Sequence, residues 1–304
     1  MIEYFIILFI GYLIGKISES IEIPSNSAYT IDNITTVKLN NGKLKDLIIY
    51  PWTRTLDLSN SNLSDLSPLN GKWFLSKIKN VKLNNNNLIA KSLSTWPNKL
   101  KPYNLDISYN KFMYLYYGTN RLPDSITGLR VSNNPLLSLL SMPTSVKSLG
   151  CSFTHITNFY GIVPNVTSIV AAFCKLNDIS ELQNISNPMN KLYLSYNYIT
   201  ELPKLPKIKI LDVSCNLLID SCINQLNNDV DELILSNNPI KLLYIPYINI
   251  KCLRLCKTHI EYIYGTLKNI KLIQLLGIPK QNVYKILNCI NKLGINTTDC
   301  EILY

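Results

Sequence analysis

Arginine and alanine are scarce in this chain, with four of each in 304 residues. Arginine is the side chain best shaped to grip phosphates and base edges, so its scarcity argues against a sequence-reading nucleic-acid protein. The net charge of +10 is nearly all lysine, spread along the chain without a dense run. No nucleic-acid-binding motif accompanies it. Specific nucleic acid is therefore not an expected partner, and a lysine-driven affinity for an anionic polymer or membrane surface stands as an alternative reading. The skew toward Asn, Ile, Lys and Tyr is typical of an AT-rich coding sequence, which inflates lysine and tyrosine counts for reasons unrelated to function.

Histidine is rarer still, at two residues. Cys252, Cys256 and His259 are spaced superficially like metal ligands, but His259 falls beyond the turn that ends its strand, and no second cluster completes four ligands. His155 and His259 occupy the same turn position in two different repeats and read as exposed turn residues. There is no Gly-rich phosphate loop, no G-x-S-x-G elbow and no kinase or metalloprotease signature. Neither metal, cofactor nor catalysis is expected.

A long hydrophobic run is also missing. The longest, Tyr4 to Gly15, is YFIILFIGYLIG. Its length is short for a membrane span, so no stable span is expected, and it suits the core of a signal peptide over residues 1–20, with an uncleaved anchor as a further reading. Ser18-Glu19-Ser20 supplies small residues for a cleavage site before Ile21. Glu3 and the absence of Lys or Arg ahead of the run fit instead an apolar part of a folded cap. Export and an intracellular location both remain open. Five glycosylation sequons, at Asn33, Asn62, Asn165, Asn184 and Asn296, match the number chance supplies in so Asn-rich a chain.

What the chain has in abundance is a repeat. An apolar-x-apolar triplet begins at Val37, Leu56, Val81, Leu105, Leu129, Leu149, Ile169, Leu192, Leu211, Leu233, Leu253 and Ile273, at intervals of 19 to 25 residues. Three residues past each triplet stands, most often, an asparagine: Asn86, Asn110, Asn134, Asn197, Asn216 and Asn238. Thr154, Cys174 and Thr258 replace it in three repeats, and Gly42, Ser61 and Ile278 break the pattern near the ends. The clearest copies read LYLSYNYI, LDVSCNLL and LILSNNPI. Alternation marks each triplet as a short strand with one buried face, and such strands bury a continuous core only by stacking. A carboxamide both donates and accepts, so stacked Asn side chains satisfy the backbone where the chain turns out of each strand.

The pattern resembles the leucine-rich repeat superfamily over about residues 30 to 280, and its proline-containing short repeats resemble those of large insect poxviruses and bacterial effectors. The resemblance implies an α/β chain, mostly strand and irregular structure: a single right-handed solenoid of about twelve parallel coils. Residues 21–36 are expected to cap the first coil, 37–278 to form the solenoid and 279–304 a helical C-terminal cap. Pro279 and Gly294 bracket an amphipathic helix, and EILY (301–304) offers a last strand. With so few residues per repeat, the outer side is expected to hold extended, turn or 3₁₀ structure, with helix at most in the longer repeats. Cys289 and Cys300 are either a disulfide stapling that cap or plain thiols.

The resemblance further implies a non-enzymatic scaffold that holds another protein on the concave sheet. The middle residues of the triplets point there: Asp57, Lys82, Asp106 and Arg130 alternate in charge, and Tyr193, Asp212 and Arg254 follow. Tyr109, Phe153, Phe173 and Tyr196, just past their strands, are candidate aromatic anchors. Against that, the charges can simply pair along the sheet, and the two phenylalanines can tuck under neighbouring turns.

Overall fold

The structure, a computed structural model, describes residues 29–33, 35–39, 44–220, 222–226, 229–246, 248–266, 269–294 and 300–304. The signal-peptide expectation for residues 1–20, and the N-terminal cap over 21–28, lie outside the described residues. In chain order the elements are β1 (Tyr29–Asn33), β2 (Thr36–Leu39), β3 (Thr55–Asp57), β4 (Asn80–Lys82), β5 (Asn104–Asp106), β6 (Tyr116–Tyr117), β7 (Asn120–Arg121), β8 (Gly128–Arg130), β9 (Ser148–Gly150), β10 (Ser168–Val170), β11 (Met189–Tyr193), β12 (Ile208–Asp212), β13 (Val230–Ile234), β14 (Leu242–Ile245), β15 (Ile250–Arg254), β16 (Tyr262–Gly265), β17 (Leu272–Gln274), the helix α1 (Lys280–Lys292) and β18 (Glu301–Leu303).

One 14-stranded sheet runs β1-β2-β3-β4-β5-β8-β9-β10-β11-β12-β13-β15-β17-β18. From β2 onward every pairing is parallel, and the triplet starts stand opposite one another from Val37↔Leu56 through Leu253↔Ile273 to Ile273↔Ile302. No coil slips. A one-residue shift would turn every apolar side chain outward, so burial of the two apolar members of each triplet pins the register. Leu56, Leu58, Leu192, Leu194, Leu253 and Leu255 are fully buried in the single core.

Between strands the chain crosses the outer side in turns and short 3₁₀ pieces, such as Ala90–Thr95 and Ser180–Asn184. Prolines sit within these crossings. Pro123 and Pro143 accept the closing N–H groups of Ile126 and Val146, at 3.3 and 3.2 Å. Four outer strands do more than turn, and β6 pairs antiparallel with β7 as a small hairpin. β14 and β16 pair in parallel as a second, two-stranded sheet, with Leu243, Ile245 and Ile263 inward and Tyr244 and Tyr264 outward.

The two ends are finished differently. At the N-terminal end β1 pairs antiparallel with β2 and so lengthens the sheet edge. Residues 29–33, which fall within the expected cap, pair with β2 along its outer edge. At the C-terminal end α1 lays Val283, Ile286 and Ile290 into the core, and β18 adds the last parallel strand, as the sequence implied. The proposed Cys289–Cys300 staple is not formed, and the eight cysteines are free. Cys300 is buried at the start of β18, while Cys289 looks away from it into the groove between α1 and β16, beside Tyr262 and Tyr264. Among the described residues no helix is long and apolar enough to cross a membrane.

Candidate binding face

The Asn positions form a device repeated from coil to coil. Asn110 Nδ2 donates to Leu83 O in the preceding coil (2.9 Å) and to Ile107 O in its own (3.0 Å), while its Oδ1 accepts Leu88 N–H at 2.9 Å. Asn86, Asn134, Asn197, Asn216 and Asn238 repeat the scheme and are all buried. Thr154 and Thr258 donate to the carbonyls of Cys151 and Leu255, and Cys174 donates through sulfur to Cys151 O at 3.2 Å. A hydroxyl or thiol at that depth does not reach the neighbouring N–H. Leu136, Ile156 and Ile240 are the residues whose N–H groups lose the accepting carboxamide.

Immediately before each of these positions the backbone is left-handed. Asn60, Asn85, Tyr109, Asn133, Phe153, Phe173, Tyr196, Cys215, Asn237 and Lys257 all have φ between 53° and 58°. This kink swings the next side chain into the ladder. It costs a residue with a Cβ roughly 1–2 kcal/mol, least for Asn, which explains why Asn recurs there. Four aromatic residues accept that cost while remaining half exposed. Three of them stack. The Phe153 and Phe173 rings lie 4.7 Å apart at 5°, and the Phe173 and Tyr196 rings 4.0 Å apart at 10°. Their exposures are 52%, 44% and 51%, so the two phenylalanines do not tuck under their neighbours. Tyr109 stands apart, because Asn133 occupies the coil between.

The stack coincides with the two adjacent ladder substitutions, Thr154 and Cys174. Thr258 carries the same kind of substitution, yet the residue before it is Lys257. A weakened ladder therefore does not require an aromatic neighbour, and the stack is a surface feature in its own right.

The charged row divides into engaged and available groups. Lys82 Nζ meets Asp57 Oδ2 at 3.2 Å, and Arg254 meets Glu232 Oε1 at 2.7 Å while donating to Gln274 Oε1 at 2.9 Å. These charges pair along the sheet. Asp57, Asp106 and Asp212 each accept the N–H of the serine two residues on, Ser59, Ser108 and Ser214. Burial raises the Asp57 carboxyl, but the Ser59 hydroxyl and N–H and then Lys82 more than reverse this, and its pKa lies below the ordinary value. The thrice-repeated Asp-x-Ser was legible in the sequence as a local side-chain-to-backbone cap. It makes these aspartates strand-end supports first and partner contacts second.

Arg130 is exposed and makes no ion pair among the described residues. With Lys82, Asp106, Gly150 and Val170 it lines a hollow of about 560 Å³ on the concave sheet, open because Gly128 and Gly150 carry no side chain. A Cβ at Gly128 would sit 2.4 Å from Asn104 Oδ1, whereas one at Gly150 would find nothing closer than 3.6 Å. Tyr193 continues the row toward Asp212, with Lys191 Nζ 6.0 Å from its ring centroid. The structure thus brings Lys82, Asp106, Arg130, Phe153, Phe173, Tyr196 and Tyr193 to one stretch, β4 to β11, and leaves Arg254 in a separate network toward the C-terminal end. Among the described residues no group of three His, Cys, Asp or Glu side chains is placed to hold a metal ion.

No protein-family model matches the chain, and no curated protein matches it. Solved structures do. The leucine-rich repeat domain of APL1B is similar at 19% identity and TM-score 0.64, over 94% of this chain and 89% of that one. YopM from Yersinia enterocolitica WA-314 is similar at 19% identity and TM-score 0.53, over 83% of this chain and 66% of that one. With the in-register triplets, the inward asparagine ladder and these likenesses together, the fold is a leucine-rich repeat solenoid.

Proposed function

We propose that this chain is a non-enzymatic scaffold that binds another protein on the concave side of β4 to β11. The observation that carries the reading is the exposed Phe153–Phe173–Tyr196 stack beside the Gly150 and Val170 hollow. Aromatic side chains on a fixed backbone lose little entropy when covered, and such groups dominate interface energetics. Arg130, which makes no ion pair among the described residues, supplies a polar contact at the rim. Export is part of the same reading, supported by the Tyr4–Gly15 run. An intracellular adaptor with the same face is the alternative, and mass spectrometry of the N-terminus and glycans of protein from its native host separates the two.

The binding face is tested by placing a photo-cross-linking phenylalanine analogue at position 173 and, as a control, at Tyr284 on the exposed side of α1. In native-host extract, position 173 yields discrete protein adducts and position 284 does not. Equal adducts at both, or none at 173, would remove the concave stack as the site.

A further inference from the structure

A second exposed aromatic feature lies on the outer side, away from the concave face. Trp73 is 79% exposed, more than any other large apolar side chain described, and Phe74 beside it is 37% exposed. Phe74 has φ 65°. Unlike the repeated left-handed row at the strand ends, this kink is not dictated by the coil geometry, and it presents an aromatic pair. The rings are 6.4 Å apart at 50°, a wedge and not a flat stacking platform. The tip is also held. Lys72 Nζ donates to the carbonyls of Lys45 and Leu47 in the preceding coil, and Lys77 N–H donates to Phe74 O at 2.9 Å.

The stretch of chain that follows carries charge of one sign. From residue 66 to residue 105 the chain carries seven lysines, at 72, 77, 79, 82, 91, 99 and 101, and no Asp or Glu. Lys77, Lys99 and Lys101 are exposed. Lys77 and Lys101 are equivalent positions in adjacent coils, each two residues before Lys79 and Tyr103, whose backbones bond at 2.8 Å. Asp46 is exposed on the preceding coil, Asp65 is occupied by the N–H and hydroxyl of Ser67, and Asp124, on the coil after Lys101, is paired with Arg121 at 3.3 Å.

We infer that this outer face docks on an anionic lipid bilayer, with Trp73 and Phe74 seated at headgroup depth and Lys77, Lys99 and Lys101 against the lipid charge. Indole rings prefer that interface, and each nearby lysine adds attraction to an anionic leaflet. The wedge shape and the near-absence of arginine favour lipid over a polyanion such as single-stranded DNA, which would use flat stacking and guanidinium contacts. The inference does not depend on the concave face.

The test uses the full chain with Trp52→Phe and Trp96→Phe, leaving Trp73 as the sole tryptophan and exciting it selectively, and vesicles of phosphatidylcholine with or without phosphatidylserine. The expected result is a blue shift of Trp73 emission with the serine-lipid vesicles only, lost as salt is raised. In co-sedimentation of the otherwise unaltered chain, Trp73→Ala lowers partitioning about tenfold. Binding that is insensitive to salt and to Trp73→Ala would assign vesicle affinity to the apolar run at residues 4–15 and overturn the inference. A Trp73 shift with single-stranded DNA but not with vesicles would overturn it in favour of a polyanion.

Discussion

At the scale of single residues, the kinked position before the ladder separates what the fold needs from what it tolerates. The fold needs a left-handed residue there, and asparagine supplies it most cheaply. Phe173 is the most informative exception, since it stacks on both sides. Replacing it with Asn removes two half-exposed ring pairs, each worth roughly 0.5–1.5 kcal/mol at most. It also relieves a comparable conformational cost. Thermal unfolding of Phe173→Asn is therefore expected to move by less than about 1 kcal/mol, while cross-linking from an analogue at position 153 disappears. A large loss of stability would show the stack to be structural. The sequence displayed the aromatic series but not its exposure: Tyr109, Phe153, Phe173 and Tyr196 share a spacing, and only the positive φ reveals that all four are turned outward. Trp73 was invisible for a similar reason, because an isolated aromatic residue in a loop carries no periodicity.

At the scale of elements, strand ends and the helical cap make separate predictions. Asp57 at the end of β3 is held below its ordinary pKa of 3.8 by Ser59 and Lys82, against the opposing effect of burial. A depressed carboxyl stabilises the folded chain above the unfolded value, and that contribution is lost as pH falls through the folded value. Asp57→Asn is thus expected to be less stable than the parent at neutral pH and to show a shallower fall in unfolding midpoint below about pH 4. Parallel acid titrations check this. Ile286 is fully buried where α1 meets the last coils. Ile286→Ala should cost about 2–5 kcal/mol and loosen β16 and β17 before β9 in hydrogen exchange. Much at this scale could be read in advance: the twelve strands from their alternation, α1 from its apolar spacing and its bracketing Pro279 and Gly294. On the outer side extended structure was expected but not its pairing into the β14–β16 sheet, although Leu243, Ile245 and Ile263 alternate with exposed neighbours as strands do. Cys289 and Cys300 show the opposite failure, since proximity in sequence said nothing about which way each thiol faces.

At the scale of the molecule, the solenoid is a one-dimensional stack whose cohesion is the sum of contacts between adjacent coils. The carboxamide ladder divides that stack. Asn86, Asn110 and Asn134 brace one block, and Asn197, Asn216 and Asn238 brace another. Thr154 and Cys174 lie between them, where the aromatic stack sits. The amides of Leu88, Phe112, Leu176, Ile199 and Leu218 each donate to a ladder Oδ1. Those of Leu136, Ile156 and Ile240 are the equivalents facing Thr154, Cys174 and Thr258. Residue-resolved hydrogen exchange is expected to show these three exchanging faster than the five bonded ones, although the surrounding leucines and isoleucines are equally buried. Thr154→Asn with Cys174→Asn should slow the amides of Leu136 and Ile156. It should also raise the unfolding free energy by about 1 kcal/mol per restored acceptor, the usual net worth of a buried hydrogen bond. If the three amides already exchange as slowly as the others, the ladder does not limit coil separation, and the junction beneath the aromatic stack is no weaker than the rest of the solenoid. If they exchange faster and the double substitution repairs them, the candidate binding stretch sits on the coil boundary that is easiest to deform, where a bound partner bridging Phe153, Phe173 and Tyr196 would add cross-coil contacts that the ladder there does not supply.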